Sequence, residues 1–276
     1  MYVINLKGEE EPFSFKKVFQ SAKRAGANSA LAKEIASKIK ALVYPGIKTQ
    51  EIFSKVKKFL KEEDEGAGIR FNLKEAMRKL GPSGFPFEKY IGEIFAVHGF
   101  KAKLNQNIKG KYADYEIDFI AQKENLVYIG ECKFRHRRGE RVDMSIALAF
   151  SAKFQDIELG NYLKKFEGCE IRPIIVTNAK FSSSAKKYAK GVGINLLGWN
   201  YPESKGLEKM IETENLYPIT IFPSLKGFLI DIFSENKLML AKNVLKFSPE
   251  QLAKKLGVDR NKIAPLVEEA KILFEN

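Results

Sequence analysis

Cysteine, histidine and tryptophan are scarce in this chain of 276 residues: two Cys, two His and one Trp. Cys132 and Cys169 stand outside any paired-ligand spacing, and with so few histidines the chain lacks the usual set for a structural zinc site. Reduced thiols in a cytoplasmic compartment are the expectation. No apolar run approaches the roughly 20 residues needed to span a bilayer. The opening MYVINLKGEEEPF lacks the charge-then-apolar order of a signal peptide. No Walker-type Gly-rich loop, internal repeat or low-complexity tract occurs, so ATP hydrolysis has no phosphate cradle here. These absences point to a soluble intracellular protein with no membrane partner, long enough for about two domains.

What is abundant is positive charge. Lys and Arg number 47 against 34 Asp and Glu, a formal balance of +13. Such a balance favours polyanionic partners, DNA among them, although a lysine-rich solubilising surface accounts for the same charge.

The opening YVINL reads as a short strand. Helical spacing then recurs at Phe15, Val18, Phe19 and Ala22, at Leu31, Ile35, Ile39 and Leu42, and at Ile52, Val56 and Phe59. Pro45 and Gly46 break the chain between the last two patterns, and Thr49 is expected to cap the helix from Gln50. The stretch GPSGFP, residues 81–86, marks a domain boundary.

Beyond it, FEKYIGEIFAVHGF makes a helix with Phe87, Ile91, Ile94 and Phe95 on one face. KAKLNQNI, YEIDFIAQ and LVYIGECKF follow as strands, the last two joined through the short turn KEN. A helix over about 144–166, the strand IRPIIVTN, the helix SSSAKKYAKGVG and the strand INLLGWN complete an αβββαβαβ order. FSPEQLAKKLGV and NKIAPLVEEAKILF form a final helical pair, with a capping box at Ser248 and Gln251. Lys254, Lys255, Arg260 and Lys262 could meet phosphates there, and plain helix packing explains the same pattern.

The chemistry-bearing stretch is GECKF. Strand alternation sends Glu131 and Lys133 to one face and Cys132 to the other. A turn near Glu124 brings Asp118 beside Glu131 across the hairpin. Adjacent carboxylates repel, and a hard divalent ion such as Mg²⁺ between them relieves that repulsion. Lys133, next to a scissile phosphate and its attacking water, stabilises the charge of the transition state. Glu88, one turn into the preceding helix, approaches the same cluster, with Glu93 as the competing acid. The bland alternative is an exposed ion pair worth at most about 1 kcal/mol. His98 and His136 read as structural, and the cations Arg135, Arg137, Arg138 and Arg141 as phosphate contacts beside the site.

Helix Glu, strand Asp, then an apolar strand ending in Glu-Cys-Lys is the order of a PD-(D/E)xK nuclease core. Residues 84 to about 200 resemble the Mrr-type restriction endonucleases of that superfamily, through GFPFEKYIGEIFAVHGF, YEIDFIAQ and IGECKF. The resemblance implies an α/β restriction-endonuclease-like core (αβββαβ, mixed central sheet) and Mg²⁺-dependent endonuclease action on DNA, with Mn²⁺ as an alternative ion. It assigns Asp118 and Glu131 as metal ligands, the Cys132 carbonyl as a third and Lys133 as the catalytic lysine. It also places Gln155 as a candidate on the following helix and extends to a homodimer. A DNA-binding protein that no longer cuts and a junction-resolving nuclease are the rivals.

Residues 1 to about 78 resemble an ATP-cone, the regulatory module of ribonucleotide reductases and some transcription regulators, through YVINLKGEEEPFSFKKV and IKTQEIFSKVKKFL. The resemblance implies ATP or dATP as an effector, and Lys16 and Lys17 at a helix start are the phosphate-facing candidates. Asn5 and Leu6 stand where the family usually has Lys-Arg; a cone kept only for oligomerisation is the alternative. The expected layout is therefore a helical ATP-cone-like module at 1–80, a nuclease-like domain at 84–202 and a helical tail at 203–276.

Overall fold

The computed structural model describes residues 1–81 and 85–275. It divides into two compact units. The first opens with β1 (Tyr2–Ile4) and β2 (Glu10–Pro12), followed by α1 (Phe15–Arg24), α2 (Ser29–Leu42), β3 (Ile47–Lys48), α3 (Thr49–Glu63), α4 (Glu65–Arg70) and α5 (Leu73–Arg78). Strand β1 lies between β2, antiparallel, and β3, parallel. The apolar positions at helical spacing converge: Val18, Ala22, Ile35, Ile39, Ile52 and Val56 form one buried core with Val3 and Ile47. Thr49 is not the cap expected of it. The cap position is Lys48, with no side-chain hydrogen bond, because Thr49 already has helical backbone as the first residue of α3.

In the second unit, α6 (Phe85–Val97) precedes β4 (Lys101–Lys109), β5 (Asp114–Lys123), β6 (Leu126–Cys132), β7 (Arg141–Val142), α7 (Met144–Leu159), β8 (Glu170–Val176), β9 (Lys180–Phe181), α8 (Ser183–Gly191) and β10 (Asn195–Leu197). The main sheet runs β10-β8-β6-β5-β4, with β4, β5 and β6 antiparallel neighbours and β6, β8 and β10 parallel. It is a mixed sheet whose strands and helices follow the expected αβββαβαβ order, and β7 and β9, which were not expected, form a separate two-stranded sheet. Ile117, Val127, Ile129 and Ile175 pack against Phe150, Phe154 and Ile157 of α7. Phe87, Ile91, Ile94 and Phe95 of α6 are all buried, as their spacing predicts.

The helix expected to run to Phe166 stops at Leu159, and a separate 3₁₀ turn spans Tyr162–Phe166. The helix ends at Gly160, whose backbone turns to the extended region (φ -81, ψ -172) where it packs closely against Gly110. The boundary stretch 81–86 includes residues 82–84, which lie outside the described residues.

The expected tail at 203–276 is shared between both units. After α9 (Leu207–Glu214), residues Ile219–Lys226 belong to the first unit, while α10 (Gly227–Glu235) belongs to the second. The chain then returns to the first unit through α11 (Pro249–Leu256) and α12 (Arg260–Phe274). The capping box at Ser248 and Gln251 is formed, and Gly257 closes α11 at φ 65. Arg70 ties this last helix into the first unit, donating to Ala25 O at 2.7 Å and to Leu273 O at 3.2 Å. Arg260, offered above as a phosphate contact, forms an ion pair with Glu250.

Candidate functional site

Strand β6 owes its place to LVYIGEC, an apolar run that suits a strand covered on both sides. Its hairpin with β5 turns at Glu124, φ 50, and the register Phe119↔Gly130 puts Asp118 opposite Glu131 one step further on. Gly130 is required by this pairing. A methyl there would overlap the Phe119 ring, which lies across the neighbouring strand. On the other side of β5, the ladder with β4 passes from Leu104↔Phe119 to Gln106↔Ile117, and Asn105 between them has φ 50. The ladder is interrupted at the position of Asp118, and the Asp118 carboxylate instead accepts the Cys132 N–H at 2.6 Å.

Glu131 is 6% exposed, and a carboxylate that deep needs partners. It has two. Lys133 Nζ lies 2.6 Å from Oε1, and Lys153 Nζ, from α7, lies 2.9 Å from Oε2. The expected same-face arrangement of Glu131 and Lys133 is present. Lys153 was not foreseen; Gln155, the candidate on this helix, is exposed. A lone cation in the otherwise apolar MSIALAFSAKF was the available signal. Lys153 also donates to Glu116 O at 3.1 Å.

The exit of β6 is fastened. Lys133 N–H donates to Val176 O at 2.8 Å, Thr177 Oγ1 donates to Lys133 O at 2.6 Å, and Asn178 exchanges two hydrogen bonds with the Arg135 backbone. The basic loop behind it is held again where β7 pairs with β9. Arg137, Arg138 and Arg141 are exposed along it, and His136 packs edge-on against Phe134.

The electrostatics are those of crowded acids. Burial and then the Glu131 charge raise the Asp118 carboxyl to about 6, against the relief given by the Cys132 N–H. Burial, followed by repulsion from Asp118, Glu116 and Glu131, raises Glu88 to about 7. Burial works against the charge of Lys133, but its hydrogen bond and attraction to Glu131 prevail and raise its pKa. Burial raises the Cys132 thiol well above its usual range, which makes it inert.

Glu88, Asp118, Glu131 and Lys133 are thus brought together. Glu93 is not part of the cluster, since its carboxylate accepts the Met239 and Leu240 N–H groups. His98 is held by Ile94 O and Glu214. In the first unit, Ser14 caps α1 by accepting Lys17 N–H, Lys16 is exposed, and Lys17 Nζ pairs with Glu11 at 3.3 Å. Asn5 closes the β1–β2 turn itself, accepting from Lys7 N and Glu9 N.

Oxygen donors at Asp118, Glu131 and the Cys132 carbonyl have the hardness Mg²⁺ requires, and the raised proton affinities of Asp118 and Glu88 reflect burial first and the neighbouring carboxylates second. Among the described residues no three His, Cys, Asp or Glu side chains are grouped to hold a metal. Any ion here would rest on two carboxylates and backbone. No described helix is long and apolar enough to cross a membrane.

Fold and site define a two-part chain: a unit of helices with a small three-stranded sheet, and a mixed-sheet α/β unit with buried acids and lysines at its strand ends. Residues 1–74 match the ATP cone domain, and residues 217–274 match the family described as AF1548-like, C-terminal. An uncharacterized protein of Archaeoglobus fulgidus is 36% identical over 181 residues, which cover 66% of this chain and 98% of that protein. The crystal structure of a protein of unknown function, AF1548, superposes with a TM-score of 0.60 at 32% identity, covering 70% of this chain and 99% of that one. The chain belongs to the AF1548-like family and carries an ATP-cone domain at its N-terminus. A complex of the MspJI restriction endonuclease with a 27-mer oligonucleotide superposes at a TM-score of 0.36 and 12% identity over 64% of this chain and 37% of that chain, too low to carry an argument.

Proposed function

We propose that the chain is a Mg²⁺-dependent DNA endonuclease, with Mn²⁺ as an alternative ion, that hydrolyses phosphodiester bonds with water. The observation that carries this reading is Asp118, one register step past the Phe119↔Gly130 pair and bonded to Cys132 N–H, with Lys133 2.6 Å from Glu131 on the neighbouring strand. Asp118, Glu131 and the Cys132 carbonyl would hold the ion. When bound, it supplies positive charge that polarises the phosphate. Lys133 contributes a positive charge toward the developing oxyanion, and Lys153 keeps the Glu131 carboxylate oriented. Glu88, with a carboxyl at about 7, can take or give a proton near neutral pH. The exposed arginines at 137, 138 and 141 suit the phosphates of the same strand.

The test is incubation of the wild type and Lys133→Ala with linear, supercoiled, methylated and branched DNA in Mg²⁺, Mn²⁺ or EDTA. Cutting by the wild type with metal alone is expected; no cutting of any substrate would remove the enzyme reading. Cutting confined to four-way junctions would assign the protein to branched DNA.

A second reading, a DNA-binding protein that does not cut, is favoured by one observation. Both oxygens of Glu131 already face an ammonium group, and these two charges offset the negative charge that an ion would otherwise balance. Calorimetry with Mg²⁺ in the absence of DNA separates the two readings.

For the first unit, the ATP-cone match supports ATP or dATP as an effector that favours one conformation. Lys16 and Lys17, at the capped start of α1, are the phosphate-facing residues in this reading. Titration calorimetry with either nucleotide checks it, and absence of heat and of a thermal shift would leave a module that serves assembly.

A further inference from the structure

The β4–β5 loop presents an aromatic ring on a rigid mount. Tyr112 is 78% exposed, more than any other large apolar side chain among the described residues. Its backbone is not loose. The buried Asp156 carboxylate accepts the Tyr112 and Ala113 N–H groups, Asp156 O accepts Lys111 N–H, and Gly110 N–H donates to Ala113 O. Gly110 is packed too tightly against Asp156 and Ala113 to admit a side chain. A buried carboxylate spent on ordering a loop whose ring touches almost nothing calls for an external partner. The Lys111 ammonium stands 5.3 Å from the ring centroid, and Lys109 is exposed at the end of β4, three residues before Tyr112.

The mount is shared with the candidate site. Asp156 and Lys153 are three residues apart on α7, hence on one face and about 4.5 Å apart along the axis. Lys153 reaches Glu131 while Asp156 holds the loop. Along β5, Asp118 lies four residues from Asp114 at the loop, roughly 13 Å at strand rise. That span is within reach of a few nucleotides of one strand.

We propose that Tyr112 is a stacking platform for an unpaired base of the nucleic-acid strand that reaches the Asp118 and Glu131 carboxylates, with Lys109 and Lys111 on the flanking phosphates. The inference rests on the nuclease reading and adds that the bound strand is single or locally opened at this loop. An aromatic face with cationic neighbours stacks on any base whose face is free, and a base within an intact duplex offers none.

The test measures binding of the full chain in EDTA, where nothing is cut, to a single-stranded 20-mer carrying 2-aminopurine and to the same sequence as a duplex. Tyr112→Ala should weaken single-strand binding at least about fivefold and abolish the change in 2-aminopurine fluorescence, while Tyr112→Phe retains both. Duplex affinity should change less than about twofold, because the positive charge that carries it is untouched. Full single-strand affinity and fluorescence change in Tyr112→Ala would overturn the platform and leave the nuclease reading standing, as would equal losses on both DNA forms. A wild type that binds neither form would overturn both. The ring is exposed and makes no core contact, so circular dichroism of the variants should match the wild type.

Discussion

Lys153 of α7 and Glu131 of β6 are joined by an ion pair of 2.9 Å, 22 residues apart in sequence. The pair fixes the helix to the end of the strand that carries Glu-Cys-Lys, and it fills the second oxygen of a carboxylate whose first oxygen is held by Lys133. Replacing Lys153 by Met leaves Glu131 buried with one partner instead of two. Urea unfolding should show a loss of about 1–3 kcal/mol, less than for a fully orphaned buried charge because Lys133 remains. Glu131→Gln combined with Lys153→Met should recover part of that loss, and the double-mutant cycle measures the coupling.

Lys133→Ala should remove about 10²–10³ from kcat for DNA cleavage and change DNA affinity by less than about threefold. Single-turnover kinetics with saturating enzyme separates these effects. An equal loss in affinity would place Lys133 on the phosphate backbone instead of at the reacting group.

Asp118 and Glu88 hold their protons more tightly folded than unfolded, at about 6 and about 7 against 3.8 and 4.5. The stability that their protonated forms contribute is complete below the unfolded values and is lost as pH rises through the folded ones. In EDTA, the part of the thermal midpoint that Asp118→Asn and Glu88→Gln remove should therefore decline between about pH 4 and 7. Added Mg²⁺ should reverse that decline above pH 7, where it no longer competes with protons.

Gly130→Ala should destabilise the second unit by about 1–3 kcal/mol, because the added methyl overlaps the Phe119 ring. Hydrogen exchange across β5 and β6 localises the effect, and a change confined to the first unit would contradict it.

Much of the second unit could be read without coordinates. Ile117, Val127 and Ile129 announce strands by composition and spacing, the KEN turn announces a hairpin, and together they place Asp118 opposite Glu131 through register alone. The turn and capping signals at Ser248, Gln251 and Gly257 are equally local. Thr49 shows the limit of such signals, since the helix started one residue earlier and made it helical. Lys153 shows another. One lysine in an apolar helix has no local mark of its partner, and nothing in MSIALAFSAKF says which strand end α7 will reach.

The sequence by itself determined the order of the main-sheet strands and their helices, the hairpin and the company of Asp118, Glu131 and Lys133, because these depend on periodicity and short-range pairing. Tertiary structure decided three other things. It brought Lys153 to Glu131, it assigned Glu93 to the backbone of Met239 and Leu240, and it returned α11 and α12 to the unit that begins the chain. Each depends on which distant surfaces bury one another, a property that no window of neighbouring residues contains.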